Sequence, residues 1–314
     1  MRVESHLREM DIMSLPADER WPRAAHAFTA LPDGSSATLG SFVIVGVPAH
    51  LTSISPTSAH CTPEAVRAAL LRYSTFSASL GRDLRDLELL DAGDVVDPDG
   101  EHGESRVMLR VAQLREAGMV MAIGGDNSIT HSVMRGVFGG DLGTAGLITL
   151  DAHHDLRDGI SNGSPVRRLV EAGLTGTRIV QIGISDFANS AEYAARARDM
   201  GITVITRGAL RTRPIADAMA EALDIAGAGG TGIHVDLDVD VCDRSVVPAC
   251  PAAAPGGISA DELRQVAAMA GADTRVRSMD LAEIDSTIDS ADQRTVRLAA
   301  LCILEAAAGV LSRA

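Results

Sequence analysis

Aromatic side chains are nearly missing from this sequence: one tryptophan, two tyrosines and five phenylalanines make up 3% of 314 residues. That leaves little material for stacking on nucleic-acid bases. Positive charge is also short. Lys and Arg total 28 against 42 Asp and Glu, a formal net charge of −14 with no basic run to offset it. Such a chain repels nucleic acid and anionic membranes, and an anionic substrate has to be received by local arginines. Cysteine is sparse. Cys61, Cys242, Cys250 and Cys302 are far apart and none belongs to a C-x-x-C pair, which argues against a disulfide framework or zinc knuckle and predicts buried thiols in a reducing compartment. The longest apolar stretch, "LAALCILEAAAGVL", is broken by Glu305 and falls short of the roughly 20 residues a spanning helix takes. The opening "MRVESHLREMDIM" interrupts every apolar run with charge, unlike a signal peptide. The expectation is a cytoplasmic protein with a small-molecule substrate and no nucleic-acid or membrane partner.

What is present is a regular alternation. Residues 1–40 are polar with scattered prolines and read as an irregular arm; residues 41–314 read as one domain. Eight short apolar runs predict strands: 42–47, 87–91, 120–125, 146–151, 179–184, 202–206, 232–238 and 276–281. Amphipathic stretches lie between them. "TPEAVRAALL" predicts a helix with Thr62 as N-cap and Pro63 at its first position. "SADELRQVAAMAG" predicts one opened by a Ser259–Glu262 capping box and stopped by Gly271, and about 291–312 reads as a long last helix. Strands separated by helices imply an α/β fold with one doubly wound, mostly parallel eight-stranded sheet, covered on both faces. Polar clusters recur just after strands, at 126 onward, 151 onward, 236–243 and 280–285. In such sheets ligands bind beyond the carboxyl ends of the strands, so one site is assembled from several of them.

Two clusters carry metal chemistry. In "DAHHD", Asp151, His153 and Asp155 are spaced by two, which on an extended segment places them on one face and turns His154 away. Asp236 and Asp238 repeat the spacing on a second strand, with His234 and Asp240 on the same face. Four carboxylates so placed repel without a cation, and mixed carboxylate and imidazole ligands suit Mn²⁺ or a similar divalent ion. Two metals sharing carboxylates would acidify a water between them.

Together, "GGDNS", "DAHHD", "DLDVDVCD", "PGG" and "MDLAEID" resemble, in order and spacing, the signature blocks of the ureohydrolases: arginase, agmatinase and formimidoylglutamase. The resemblance covers about 40–312 and implies a three-layer α/β/α arginase-like fold, a binuclear manganese centre and hydrolysis of C–N bonds in amidines or guanidines. "TSIS", "DAHHDLR", "SNGSP", "VQIGISDFANSAEY" and "PACPAAAPGG" are similar to the formimidoylglutamase branch, which implies N-formimino-L-glutamate plus water giving L-glutamate plus formamide in histidine degradation. The resemblance implies metal ligands at Asp151, His153, Asp155, Asp236 and Asp238. It implies an acid holding the amidinium at Glu283, a carboxylate-binding arginine at Arg157, and a substrate loop with Ser161, Asn162 and Ser164. Asp155 is the expected proton carrier. A homo-oligomer, trimer or hexamer, is expected by analogy.

Two positions depart from the arginase pattern. Asn127 stands where "GGDHS" carries a histidine, and Asn162 stands where a proton-transferring histidine precedes glycine. Asn127 is a weak or absent ligand, so two Mn²⁺ are expected and one is possible. His234 is the best substitute ligand; His131 is a turn too far. Arg167 or Arg168 is a candidate for a second substrate carboxylate, and His50 and His60 bracket "LTSISPTSA", a candidate lid. Two other readings stand: a guanidino-acid hydrolase or agmatinase releasing urea, and a degenerate non-catalytic paralogue.

Overall fold

The computed structural model describes residues 18–313. In chain order the strands are β1 (Thr29–Ala30), β2 (Phe42–Val47), a small antiparallel pair β3 (Phe76–Ser77) and β4 (Arg82–Asp83), then β5 (Leu89–Asp94), β6 (Met119–Gly124), β7 (Gly146–Leu150), β8 (Ile179–Ile184), β9 (Thr203–Thr206), β10 (Ile233–Asp238) and β11 (Val276–Ala282). The helices are α1 (Thr62–Leu70), α2 (Gly100–Leu114), α3 (Ile129–Phe138), α4 (Pro165–Glu171), α5 (Ala191–Asp199), α6 (Ile215–Ala226), α7 (Ala260–Ala272) and α8 (Arg294–Ser312). All strands except β3 and β4 form one nine-stranded sheet in the order β1-β5-β2-β6-β11-β10-β7-β8-β9. Every pairing in it is parallel.

The strands read as unbroken apolar runs because both faces are covered; β2, β6 and β8 are buried from end to end. Alternation sends Phe42 and Ile44 into a core with residues of α1, α6, α7 and α8, and Val43, Val45 and Val47 into a second core with residues of α2, α3 and α4. The helix α8 is long and apolar enough to cross a membrane, with mean hydropathy 1.6, but 78% of that window is buried inside the fold. It is a core helix. A Cβ on Gly271 would come within 2.2 Å of the Ala306 carbonyl oxygen, so this glycine serves close packing of α7 on α8.

The eight predicted strands are present. The ninth, β1, comes from the part of the chain expected to be an irregular arm, where Thr29 and Ala30 pair with Leu90 and Asp91. Two residues give no readable periodicity, and residues 1–17 of that arm lie outside the described residues. Thr62 is the first residue of α1 rather than its cap; its hydroxyl donates to the Ile284 carbonyl at 2.5 Å. The Ser259–Glu262 capping box is formed, but α7 runs through Gly271 to Ala272.

Candidate metal centre and substrate cavity

Four adjacent central strands, β6, β11, β10 and β7, point their carboxyl ends at one place. The chain leaving them carries Asn127, Glu283, Asp238 and Asp151 in turn. A cavity of about 280 Å³ opens there, lined by His153, Asp155, Arg157, Asn162, Asp238, Asp240 and Glu283 among others. Two of these acids sit in left-handed backbone, Asp155 at φ 53° and Glu283 at φ 65°. Non-glycine residues are held there only where the surroundings over-determine them, which is common at functional sites.

The "DAHHD" segment reaches the cavity by a different route from the one its spacing implies. The strand β7 stops at Leu150, and residues 151–155 turn rather than continue as extended chain. His153 places Nδ1 2.7 Å from Asp240 Oδ2 and 3.5 Å from Asp151 Oδ1. Asp155 reaches the cavity through its left-handed turn. His154 does turn away, into a 2.6 Å contact between Nδ1 and Gln181 Oε1.

The second half of the metal set is shifted by one step. Asp236 was expected as a ligand with Asp238, but it lies inside the sheet, level with Thr149 of β7 and Asp280 of β11. It is fully buried and does not line the cavity. Asp238 ends the strand, and Asp240 follows in a short 3-10 turn. Two residues of strand rise roughly 6–7 Å, enough to leave Asp236 a full row below the rim. The residue missed is therefore Asp240. Its Oδ1 accepts from Ala152 N–H at 2.9 Å while Oδ2 faces His153. Asp151, His153 and Asp240 offer ligand atoms all within 4.8 Å of one another, the one group of its kind among the described residues. The run Asp236, Asp238, Asp240 contains two overlapping pairs, and only the point where the strand ends tells which pair reaches the site.

The electrostatics fit a divalent cation. Burial, then Asp240, pushes Asp151 up to about 7. Burial first raises Asp155, Asp236 and Asp238 well above the usual carboxylate range, with Asp151, Asp280 and Asp240 respectively as the next causes. For His153 burial opposes the charge, but its hydrogen bonds to Asp151 and Asp240 carry it up to about 12. Burial also acts to raise Asp240, and the His153 contact outweighs it, leaving that acid below its usual value. A proton on Nδ1 thus does what a cation would do. Asp151 Oδ2 is buried without a hydrogen-bond partner, as a ligand atom waiting on a metal would be. Acids raised in the folded state are ionised only at a cost, so metal-free protein should lose stability as pH rises from about 4 through 7. The raised His153 works in the same direction above its unfolded value near 6.5. Melting of chelator-treated protein at pH 5 and pH 8 checks this. The apparent Tm should fall between them and Mn²⁺ should restore more at pH 8; a flat profile would contradict the assignment.

Asn127 is buried beside this cluster. Its Nδ2 donates to Asp155 Oδ2 at 2.7 Å, its Oδ1 accepts from Thr130 Oγ1 at 3.0 Å, and its backbone N–H donates to Glu283 Oε1 at 2.7 Å. Neither histidine substitutes for it. His234 is fully buried with its two nitrogens on Ser278 Oγ and Asp280 Oδ2, at 2.7 and 3.1 Å. His131 faces Glu104.

On the substrate side, Glu283 Oε1 accepts from Asn127 N–H and Asn162 Nδ2, and no described residue donates to Oε2. Burial, then Asp126, pushes Glu283 up to about 7. Arg157 lines the cavity, and among the described residues nothing pairs with its guanidinium. Ser161 and Ser164, expected to face substrate, face each other instead: Ser164 Oγ donates to the Ser161 carbonyl and accepts from its N–H, at 2.8 and 3.0 Å. Ser164 is fully buried and neither serine lines the cavity. Arg168 is spent on Glu104 and Arg167 on Glu171 and the Arg157 carbonyl, so neither offers a second carboxylate site. Burial pushes the Cys242 and Cys250 thiols far up, leaving them inert packing groups.

Residues 40–309 match the sequence model of the arginase family. The chain belongs to the arginase family. It is 36% identical to the formimidoylglutamase of Halalkalibacterium halodurans over 276 residues, covering 85% of this chain and 86% of that one. The Bacillus subtilis formimidoylglutamase is 33% identical over 85% of this chain and 86% of its own. Its crystal structure superposes with a TM-score of 0.86 at 30% identity, covering 97% of this chain and 96% of that one. A Trypanosoma cruzi formiminoglutamase solved with two Mn²⁺ superposes with a TM-score of 0.83 at 26% identity, over 94% and 100% of the two chains.

Within this arginase-family cavity, sequence reasoning also missed Asn189, Ser190 and Tyr193, which line it from the start of α5. Asn189 fixes the metal loop from behind: Oδ1 accepts from His154 N–H at 3.0 Å and Nδ2 donates to the Ala152 carbonyl at 2.9 Å. They fall inside the stretch "VQIGISDFANSAEY" that resembles the formimidoylglutamase branch, but only the fold shows that they face the cavity.

Proposed function

We propose that this protein hydrolyses N-formimino-L-glutamate to L-glutamate and formamide, using two Mn²⁺ held by Asp151, His153, Asp155, Asp238 and Asp240, with Asn127 at most a weak additional ligand. The observation that carries the reading is Glu283. One carboxylate oxygen is locked by two N–H donors, and the other is left for a planar cation in the cavity that Arg157 also lines. A carboxylate pairs well with an amidinium, and an arginine with a carboxylate. The bound ions supply Lewis acidity and an acidified water. The protein's own groups then divide the work. Glu283 holds the amidinium nitrogens while the formimino carbon is attacked. Asp155 has Oδ2 engaged by Asn127 and so offers Oδ1 to carry a proton toward the leaving amine. Arg157 anchors a substrate carboxylate, which argues against agmatine, a substrate with none. Residues 41–314 act as one catalytic domain, in the cytoplasm, as a trimeric or hexameric homo-oligomer.

A substrate panel with Mn²⁺ tests the reading. Formamide and glutamate from formiminoglutamate are expected; urea from a guanidino acid, with no formamide, would overturn it, and no turnover with less than one metal per chain would favour a non-catalytic paralogue. In the same panel Asn127→His should retain manganese more tightly through gel filtration. Unchanged retention would mean that position 127 does not face the first metal.

A further inference from the structure

The loop 51–58 contributes Ile54 and Ser55 to the cavity wall. Its ends are fixed. His50 and Leu51 donate backbone N–H groups to Asp99 Oδ1 at 3.0 and 2.9 Å, and Ser58 N–H donates to Asp285 Oδ2 at 2.7 Å. Between these anchors, apart from Ser53 N–H on the His50 carbonyl at 3.4 Å, the hydrogen bonds that tie residues 52–55 to the rest of the fold all go to Asn162, among the described residues. Ile54 N–H donates to Asn162 Oδ1 at 3.0 Å, Asn162 N–H donates to the Thr52 carbonyl at 3.3 Å, and Nδ2 lies 3.5 Å from Ser53 Oγ. The same Nδ2 donates to Glu283 Oε1 at 2.8 Å. A Cβ on the next residue, Gly163, would fall 2.7 Å from Arg157 Cδ and 3.1 Å from Ile54 Cδ1, so a larger residue there would push on these two side chains of the cavity wall.

The amide of Asn162 can be oriented one way only. Glu283 Oε1 is an acceptor and demands the nitrogen; the Ile54 peptide is a donor and demands the oxygen. We infer that Asn162 is a positioning residue, the single tie that makes the setting of loop 51–58 and the pose of Glu283 one event, rather than a group whose task is to contact substrate. When the loop is loose, Glu283 keeps only the Asn127 N–H on Oε1 and its free oxygen is no longer aimed. When an amidinium engages Glu283, the loop is stiffened through the same side chain. The kinetic half of this inference rests on the proposed role of Glu283; the loop half does not.

Two variants separate the functions. Asn162→Asp keeps an acceptor for Ile54 N–H but sets a carboxylate oxygen against Glu283, whereas Asn162→Ala removes both side-chain ties and leaves the loop only the backbone N–H on the Thr52 carbonyl. Hydrogen–deuterium exchange of the 51–58 peptide, read on unliganded protein, should stay within about twofold of wild type in Asn162→Asp and quicken about tenfold or more in Asn162→Ala, as a local opening would. With formiminoglutamate, kcat/KM should fall in both, by roughly 10²-fold for a misaimed acid. The fall in Asn162→Asp should reside in kcat, and Asn162→Ala should add a rise in KM. Wild-type exchange in Asn162→Ala would overturn the inference, as would equal quickening in both variants or kcat/KM within threefold of wild type. If wild type itself fails to turn over formiminoglutamate, the functional reading falls, and the exchange comparison still decides the loop.

Discussion

Asp240→Asn should strip most of the manganese from the protein and abolish turnover, while Asp236→Asn should leave metal content close to wild type. The two acids have the same residue type and lie four positions apart, and only Asp240 lines the cavity. Asp240 has Oδ2 against His153 Nδ1 at 2.7 Å, in the group that brings three ligand atoms together. Asp236 is a row deeper, level with Asp280 of β11, with both oxygens buried and without donors. Removing a ligand should exceed the roughly 10–100-fold loss that an outer partner gives. Burial and Asp280 already disfavour a negative charge on Asp236, so a neutral amide there should lower activity by tenfold at most. Metal per chain after gel filtration, measured by atomic emission, reads the outcome directly. Full metal in Asp240→Asn with loss in Asp236→Asn would restore the first pair as ligands. Native circular dichroism in both variants excludes unfolding as the cause.

The near miss at Asp236 marks where sequence stops being legible. Strand existence was readable because a sheet covered on both faces demands unbroken apolar runs such as "FVIVGV" and "IVQIGI". The convergence of polar clusters followed from the rule that parallel strands deliver ligands at their carboxyl ends. What period-two spacing does not carry is where a strand stops. The strand β7 ends at Leu150 and β10 at Asp238, and those two facts alone replace the expected extended face by a turn and move the second ligand pair by one step. Side-chain aim in loops is equally silent. Ser161 and Ser164 have the polarity of substrate-binding groups and use it on each other. Asn127 posed the converse problem. Its chemistry was plain, but of its partners only Thr130, in the first turn of α3, is near in sequence; Asp155 comes from the loop after β7 and Glu283 from the end of β11, and no linear pattern joins those two to it.

Glu283→Gln is the change expected to harm catalysis most without disturbing metal. Glutamine at this position has one oxygen and one NH₂. The Asn127 N–H and Asn162 Nδ2 both donate to the same carboxylate oxygen, so the glutamine oxygen must stay there. Its NH₂ is then turned into the cavity, where it meets an amidinium that offers only donors. An attractive ionic contact becomes a donor–donor clash in a buried site. Losing one member of a buried charged pair costs about 2–5 kcal/mol, so kcat/KM should fall by roughly 30- to 5,000-fold. Manganese content should be unchanged, because Glu283 is assigned to the amidinium and is not among the proposed ligands Asp151, His153, Asp155, Asp238 and Asp240. The pH profile gives a second reading. Burial, then Asp126, holds Glu283 up to about 7, so in wild type the ionised form, and with it kcat/KM, should grow as pH rises through 7. That limb should vanish in Glu283→Gln, and Glu283→Asp should keep it at reduced rate, since the carboxylate survives but is set back by one methylene. Loss of metal in Glu283→Gln, or kcat/KM within tenfold of wild type, would remove Glu283 from the amidinium and leave the cavity needing another anchor.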